Sequence, residues 1–140
     1  MNERCEDPLV TAELSARVLW PGSGSVAARI HLQYRSTDPF AVQMTIRVRG
    51  NEPSTWTFGR ELLDDGLRRA SGVGDITVEP CPQAPTVLLH VTLRDDVSEA
   101  ALELRRAPIA EFVSETYDAV PAGHERLFLL VDDDVSALAS

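Results

Sequence analysis

Two neighbouring stretches in which apolar and polar residues alternate place the strongest limit on what this chain can fold into. One face of the first stretch carries Val26, Ala28, Ile30, Leu32 and Tyr34, and one face of the second carries Val42, Met44, Ile46 and Val48. Successive side chains of a β-strand point to opposite faces, so this period of two predicts two strands with one buried face each. The tetrapeptide Ser36-Thr37-Asp38-Pro39 between them favours a turn, and the two strands are therefore expected to be antiparallel.

The other elements follow from similar patterns. Strands are predicted at residues 11–20, 54–58, 75–78, 86–93 and from residue 100 to 104, with two prolines ending the third of these at residue 78. Helical spacing of apolar residues predicts a short helix over 59–67, a longer one that begins with Pro108 and ends before Pro121, and a final one after Asp132-Asp133-Asp134.

This order of about four strands, a helix, about three strands and then helices predicts an α+β fold with antiparallel sheets. A chain of 140 residues suits one domain, which we expect to occupy residues 11–140 behind a flexible N-terminus at 1–10.

The charge of the chain bears on its partners. There are 22 acidic residues against 13 basic ones, for a net charge of -9, and every basic residue is an arginine. An acidic body repels the nucleic-acid backbone, and no arginine run forms an obvious basic stripe, so nucleic acid is a disfavoured partner. The absence of lysine excludes Schiff-base chemistry and a phosphate-binding lysine.

Residues that could carry chemistry are scattered along the sequence. His31, His90 and His124 have no metal-binding partner at helical spacing, and an internal hydrogen bond is the expected role of His90 in its apolar strand. Cys5 and Cys81 form no paired-ligand motif and are expected to be reduced, unpaired thiols. We therefore predict no catalytic residue, no metal site and no cofactor.

The acidic and apolar runs support the same view. Neighbouring aspartates at residues 64–65, 95–96 and 132–134 lack the spacing of a cation-binding loop, and capping or solvation is the simpler interpretation. The N-terminal residues are too charged for a signal peptide, and the longest apolar run, residues 127–131, is too short to span a bilayer. These features predict a cytoplasmic protein without membrane insertion.

Three ordered segments resemble the SsgA-like proteins, sporulation and cell division regulators of actinobacteria. They run from Tyr34 to Val42 (YRSTDPFAV), from Trp56 to Leu67 (WTFGRELLDDGL) and from Gly72 to Val78 (GVGDITV), with looser similarity at 108–112 and 120–125. Residues 1–7, 79–85 and 127–131 match poorly, which is typical of a divergent paralogue. The resemblance implies a small developmental regulator without known catalysis, tied to septum formation, with FtsZ as the best-known partner of the family. It also implies a fold similar to the whirly-type single-stranded nucleic-acid-binding domain, often as a trimer.

The residues that carry the resemblance also have structural interpretations. Trp56 and Phe58 are expected in the core, Asp38 and Pro39 in a turn, and Arg60 beside an acidic neighbour. The complete set, mainly structural, is Tyr34, Asp38, Pro39, Phe40, Trp56, Phe58, Arg60, Leu62, Leu63, Gly66, Gly72, Gly74 and Asp75. The residues that bind a partner stay unassigned.

The main hypothesis is a non-enzymatic regulator of sporulation-specific septum formation that acts by protein contacts and helps to localise or activate FtsZ. A homo-oligomer is expected, with a trimer favoured, enriched at division septa. One alternative is a whirly-type single-stranded nucleic-acid-binding protein, which would need exposed aromatic residues beside arginines. Another is a small-molecule binder or enzyme, which would need a deep polar pocket with perturbed titrating groups.

Overall fold

The computed structural model of the protein describes residues 9–20, 24–72, 74–96 and 99–129. The predicted final helix after Asp132-Asp133-Asp134 and the residue Cys5 lie outside these ranges. The elements in chain order are β1 (Leu9–Trp20), β2 (Gly24–Arg35), β3 (Ala41–Arg47), β4 (Ser54–Gly59), α1 (Arg60–Gly66), β5 (Ile76–Pro80), β6 (Leu88–Arg94), β7 (Glu99–Arg105) and α2 (Arg106–Ala119). Residues 125–129 are also helical.

All seven strands belong to one sheet with the order β4-β3-β2-β1-β7-β6-β5. Every pairing in it is antiparallel, which confirms the predicted antiparallel pairing, but the strands form one sheet and not several. The edge strands β4 and β5 are the furthest apart in this order, yet α1 contacts both of them. The sheet therefore curls until its two edges meet the same helix, while α2 packs on β1 and β7.

The core lies inside this curl, on the face that the alternating pattern predicts. Ile30 pairs with Leu14 on one side and with Ile46 on the other, and all three side chains are buried. Leu89 and Leu102 extend the same apolar layer across β6 and β7, and Ile109 and Phe112 of α2 close it. Polar side chains of β1, β2 and β3 point to the opposite, outer face, as a period of two requires.

Two predictions of how a proline bounds an element were wrong. β5 continues to Pro80, which pairs with Leu89, and does not end at Val78. The backbone N–H of Val78 donates to Ser71 at 2.8 Å, on the side of β5 away from β6, and the nitrogen of Pro80 faces that same open edge. A strand tolerates proline there because no ladder hydrogen bond is lost. Pro108 is the third residue of α2 and not the first. The third position also accepts proline, because the first four N–H groups of a helix have no partner within it.

No helix among the described residues is long and apolar enough to cross a membrane.

Candidate functional site

A buried arginine joins four parts of the chain at one side of the curled sheet. Arg60, the first residue of α1, is 1% exposed and lies between two aromatic rings, 5.2 Å from the ring centre of Tyr34 and 3.9 Å from that of Tyr117. Its guanidinium donates to the backbone oxygen of Thr116 and to Oε2 of Glu125, each at 2.8 Å. We call Tyr34, Arg60, Thr116, Tyr117 and Glu125 the arginine cluster.

The turn between β2 and β3 fixes the start of α1 beside this cluster. The backbone N–H of Arg60 donates to the oxygen of Phe40 at 2.8 Å, and the Tyr34 hydroxyl donates to the oxygen of Pro39 at 2.9 Å. Asp38 shapes the turn itself, because its N–H donates to Arg35 and its oxygen accepts from Ala41. The first segment of the family resemblance, Tyr34 to Val42, thus fixes the position of Arg60 at the start of α1.

The electrostatics of the arginine cluster favour a fixed ion pair. The hydrogen bond from Arg60 holds the pKa of Glu125 below its usual value, helped by the N–H of Gly123, which donates to Oε1 at 3.0 Å. Burial raises the pKa of Tyr34 to about 12 and also raises that of Tyr117, against the opposing charge of Arg60. Glu125 is therefore ionised and both tyrosines are protonated at neutral pH, so the cluster can clamp α1 to α2, and none of these three groups changes its protonation near neutrality.

Sequence reasoning expected an acidic neighbour for Arg60 but did not name Glu125, which follows it by 65 positions. Thr116 and Tyr117 were missed for the same reason. The available signal was the loose family similarity at residues 120–125, together with an acidic residue in it.

An open cleft lies between the two edges of the sheet, next to the arginine cluster. It has a volume of about 400 Å³ and is lined by Trp56, Thr57, Phe58 and Gly59 of β4, Leu62 of α1, and Asp75 and Ile76 at the start of β5. We call this the edge cleft. Phe40, whose backbone oxygen accepts a hydrogen bond from the N–H of Arg60, has an exposed ring. Arg60 directly follows Gly59 of the cleft lining. Apolar side chains, one carboxylate and two strand edges therefore meet at one surface.

The segments of the family resemblance converge on this region. Gly66 packs so tightly on β5 that an added Cβ would lie 2.3 Å from Cγ1 of Val78. Gly72 and Gly74 have positive φ angles of 125° and 82° in the turn that leads to Asp75. Leu63 and Phe58 are buried, whereas Trp56 and Leu62 are half-buried and line the edge cleft.

A second cavity, of about 260 Å³, opens on the other side of Trp56 inside the curl. Its walls are mainly apolar, and Glu52 and Asp95 lie among the lining residues. The tyrosines whose pKa is raised belong to the arginine cluster and do not line this cavity.

The remaining candidates from the sequence have ordinary contacts. Asp64 and Asp65 both accept hydrogen bonds from Arg68, at 3.1 Å. His90 has the internal hydrogen bond that was predicted, from Nε2 to Oε2 of Glu103 at 3.2 Å. His31 lies near Glu13 at the outer face, and His124 is exposed.

The outer face of β1, β2 and β3 bears on single-stranded nucleic-acid binding, which uses aromatic rings and arginines. Arg17, Arg29 and Arg47 point outward from β1, β2 and β3, and serine, threonine and glutamate lie beside them. Bases stack on aromatic rings, and no phenylalanine, tyrosine or tryptophan faces outward from these three strands over residues 9–19 and 24–47.

Comparisons with known proteins agree with this architecture. Residues 28–125 match the family described as Streptomyces sporulation and cell division protein, SsgA. The sporulation-specific cell division protein SsgB of Frankia casuarinae is 34% identical over 92% of this chain and 90% of its own length. SsgB of Streptomyces coelicolor is 32% identical over 91% of this chain and 93% of its own.

Solved structures give the same result. The crystal structure of an SsgA-like sporulation-specific cell division protein from Thermobifida fusca has a TM-score of 0.87 and 28% identity, over 98% of both chains. A structure from work on SsgB mutations that correlate with longitudinal cell division in Streptomyces coelicolor has a TM-score of 0.80 and 31% identity, over 87% of this chain and 96% of the other. The chain has an SsgA-like fold and belongs to the SsgA family of sporulation and cell division proteins.

Proposed function

We propose that this protein regulates sporulation-specific septum formation by protein contacts and catalyses no reaction itself. The observation that supports the proposal is the alignment, over about nine-tenths of both chains, with relatives named for sporulation-specific cell division. The buried charges fit this role, since Arg60 and Glu125 form an ion pair at 2.8 Å and line neither of the two cavities described above. Division proteins, FtsZ or the proteins that recruit it, are the partners we propose, contacted directly or indirectly.

We further propose the edge cleft as the surface that contacts the partner. It combines apolar side chains with the outer edge of β4, the last strand of the sheet on that side, and an extended segment of a partner can add a strand to such an edge. Asp75 is exposed beside the apolar residues, so a basic residue in the partner would be attracted there. Self-assembly, with a trimer favoured, whirly-like folding of the domain and enrichment at septa belong to the same proposal.

The test is a pull-down from sporulating cells with tagged protein, scored by mass spectrometry. The double variant Thr57→Arg, Asp75→Arg changes two exposed residues of the edge cleft. Its matched control is Thr11→Arg, Glu111→Arg, which changes a threonine and an acidic residue to arginine at exposed positions of β1 and α2. We expect wild type and control to recover division proteins, and the cleft variant to lose them while it stays folded.

Two results would contradict the proposal. Equal recovery by the cleft variant and the control would remove the edge cleft as the docking surface. Recovery of nuclease-sensitive nucleic-acid-binding proteins without division proteins would overturn the septation role and favour the whirly-type alternative. Light scattering on the purified protein, run beside the pull-down, measures whether it is a trimer.

A further inference from the structure

Three side chains with metal-binding atoms meet at the other end of β5, outside the segments of the family resemblance. The thiol of Cys81, the imidazole of His90 and the carboxylate of Glu103 each offer an atom, and these atoms all lie within 4.8 Å of one another. We call these residues the thiol cluster. Nothing in the proposed function requires them.

The sheet ladder brings these residues together. His90 on β6 is the direct cross-strand partner of Glu103 on β7. The N–H of Cys81 donates to the oxygen of Leu88 at 3.0 Å, which extends the pairing of β5 with β6 by one residue. Cys81 therefore lies on the same sheet face as His90, on the neighbouring strand. Because backbone pairing sets all three positions, little ordering of the chain remains to be done when a ligand binds.

We propose that the thiol cluster binds a divalent transition-metal ion of the zinc type. Thiolate, imidazole and carboxylate are the ligands that zinc takes in proteins, whereas magnesium and calcium prefer oxygen alone. Zinc bonds of about 2.0 to 2.3 Å place two ligand atoms about 3.5 Å apart in a tetrahedral site. His90 Nε2 and Glu103 Oε2, at 3.2 Å, are already close to this spacing, and Sγ of Cys81 lies within 4.8 Å of both.

Burial differs among the three ligands in a way that suits a site open on one side. Cys81 is 2% exposed, while the side chains of His90 and Glu103 are 20% and 28% exposed. The Cys81 thiol donates to Oε1 of Gln83 at 3.4 Å, so an amide oxygen is close enough to serve as a fourth ligand. Metal binding releases the thiol proton to solvent and replaces the hydrogen bond between His90 and Glu103.

A second histidine and glutamate provide an internal control. On the same outer face, His31 pairs across strands with Glu13, with Nδ1 of His31 3.4 Å from Oε2 of Glu13 but without hydrogen-bond geometry. This pair has a ligand set similar to that of His90 and Glu103 but no cysteine among its described contacts. Metal binding that depends on the thiol therefore distinguishes the two pairs.

The experiment is a titration of reduced, metal-free protein with Co²⁺, followed by displacement with Zn²⁺. A Cys5→Ser background leaves Cys81 as the only thiol. We expect one Co²⁺ per chain, a thiolate-to-cobalt charge-transfer band and the intense visible bands of a tetrahedral site. Cys81→Ser should abolish the charge-transfer band, and His90→Gln or Glu103→Gln should weaken binding at least about tenfold.

The His31→Gln, Glu13→Gln variant should bind Co²⁺ as tightly as the background protein. If Cys81→Ser does not fold, as judged by circular dichroism, the His90→Gln arm alone decides. The proposal is overturned if Co²⁺ binds without a thiolate band, if binding is not stoichiometric, or if the control variant weakens it as much as His90→Gln does.

Discussion

The arginine cluster and the thiol cluster both assemble polar side chains from separate elements, but they differ in closure. Arg60 and Glu125 are almost wholly buried and carry opposite charges, and the Arg60 guanidinium donates a hydrogen bond of 2.8 Å to the Glu125 carboxylate. His90 and Glu103 are partly exposed, and Cys81 beside them adds a thiol, whose deprotonated form binds metal ions. A closed cluster of this kind holds elements together, whereas an open one is available to a ligand. Stability measurements should therefore separate the two.

The largest expected difference is between two glutamate-to-glutamine variants. Glu125→Gln leaves the buried charge of Arg60 without its counterion, and removing one member of a buried pair costs about 3–5 kcal/mol of unfolding free energy. Glu103→Gln breaks a partly exposed contact and should cost less than about 1 kcal/mol in the metal-free protein. Urea unfolding of both variants measures the two costs.

A double variant sharpens this comparison. Arg60→Met combined with Glu125→Met removes both buried charges, so it should be more stable than Glu125→Gln alone. Equal costs for Glu125→Gln and Glu103→Gln would show that burial does not distinguish the two clusters.

The cost of Glu125→Gln should also depend on pH. The pKa of Glu125 is lowered in the folded protein from its ordinary value of 4.5, so its contribution is complete above that value and is lost as the pH falls below it. The difference in unfolding free energy between wild type and Glu125→Gln should therefore narrow in acid. Urea unfolding at neutral pH and at a series of acidic values measures it, and a constant difference would refute the ion pair.

Gly66 tests the contact between α1, which carries Arg60, and β5, which leads to Cys81. Alanine normally stabilises a helix relative to glycine, but a Cβ here would lie 2.3 Å from Cγ1 of Val78. We expect Gly66→Ala to cost about 1–3 kcal/mol, as overpacking does. Thermal unfolding measures it, with Gly59→Ala as the control because the nearest atom to that added Cβ is 3.7 Å away.

The Gly66→Ala strain should stay on the side of the arginine cluster. The thiol cluster depends on the pairing of β5, β6 and β7, so the folded variant should bind Co²⁺ as the parent does. The assignment of the clash fails if a double-mutant cycle with Val78→Gly, which removes both Cγ1 and Cβ of Val78, shows no recovery of the stability lost by Gly66→Ala.

Local patterns in the sequence were sufficient to predict most of the sheet. The faces of β2 and β3 were correct because alternation depends only on neighbouring residues, and Ile30, Leu32 and Met44 are buried as expected. The end of β5 was predicted wrongly because a strand accepts proline where the proline nitrogen faces away from the neighbouring strand. The direction of that nitrogen depends on the pairing of β5, with Ser71 on its outer side, and on its position at the edge of the sheet. No local pattern contains this information.

The clusters were harder to predict than the fold. Glu125 reaches Arg60 only after α2 has packed on the sheet, so the pairing depends on the arrangement of whole elements. The thiol cluster had a weaker but real signal in the register of the hairpin. With the strand predicted to end at residue 78, Cys81 appeared isolated, whereas the pairing of Pro80 with Leu89 places it beside His90.

The smallest expected effect concerns Tyr34, which keeps its ring over Arg60 when changed to phenylalanine. Tyr34→Phe removes the hydrogen bond to the buried oxygen of Pro39 and should cost about 1 kcal/mol. Burial raises the Tyr34 pKa from 10.0 to about 12, so this tyrosine stabilises the folded protein below pH 10, and the benefit is lost as the pH rises towards 12. The unfolding free energies of wild type and Tyr34→Phe, measured by urea at alkaline pH, should therefore converge. Tyr117 is present in both proteins, so a gap that stays constant across this range would mean that the Tyr34 hydroxyl is not buried against Pro39.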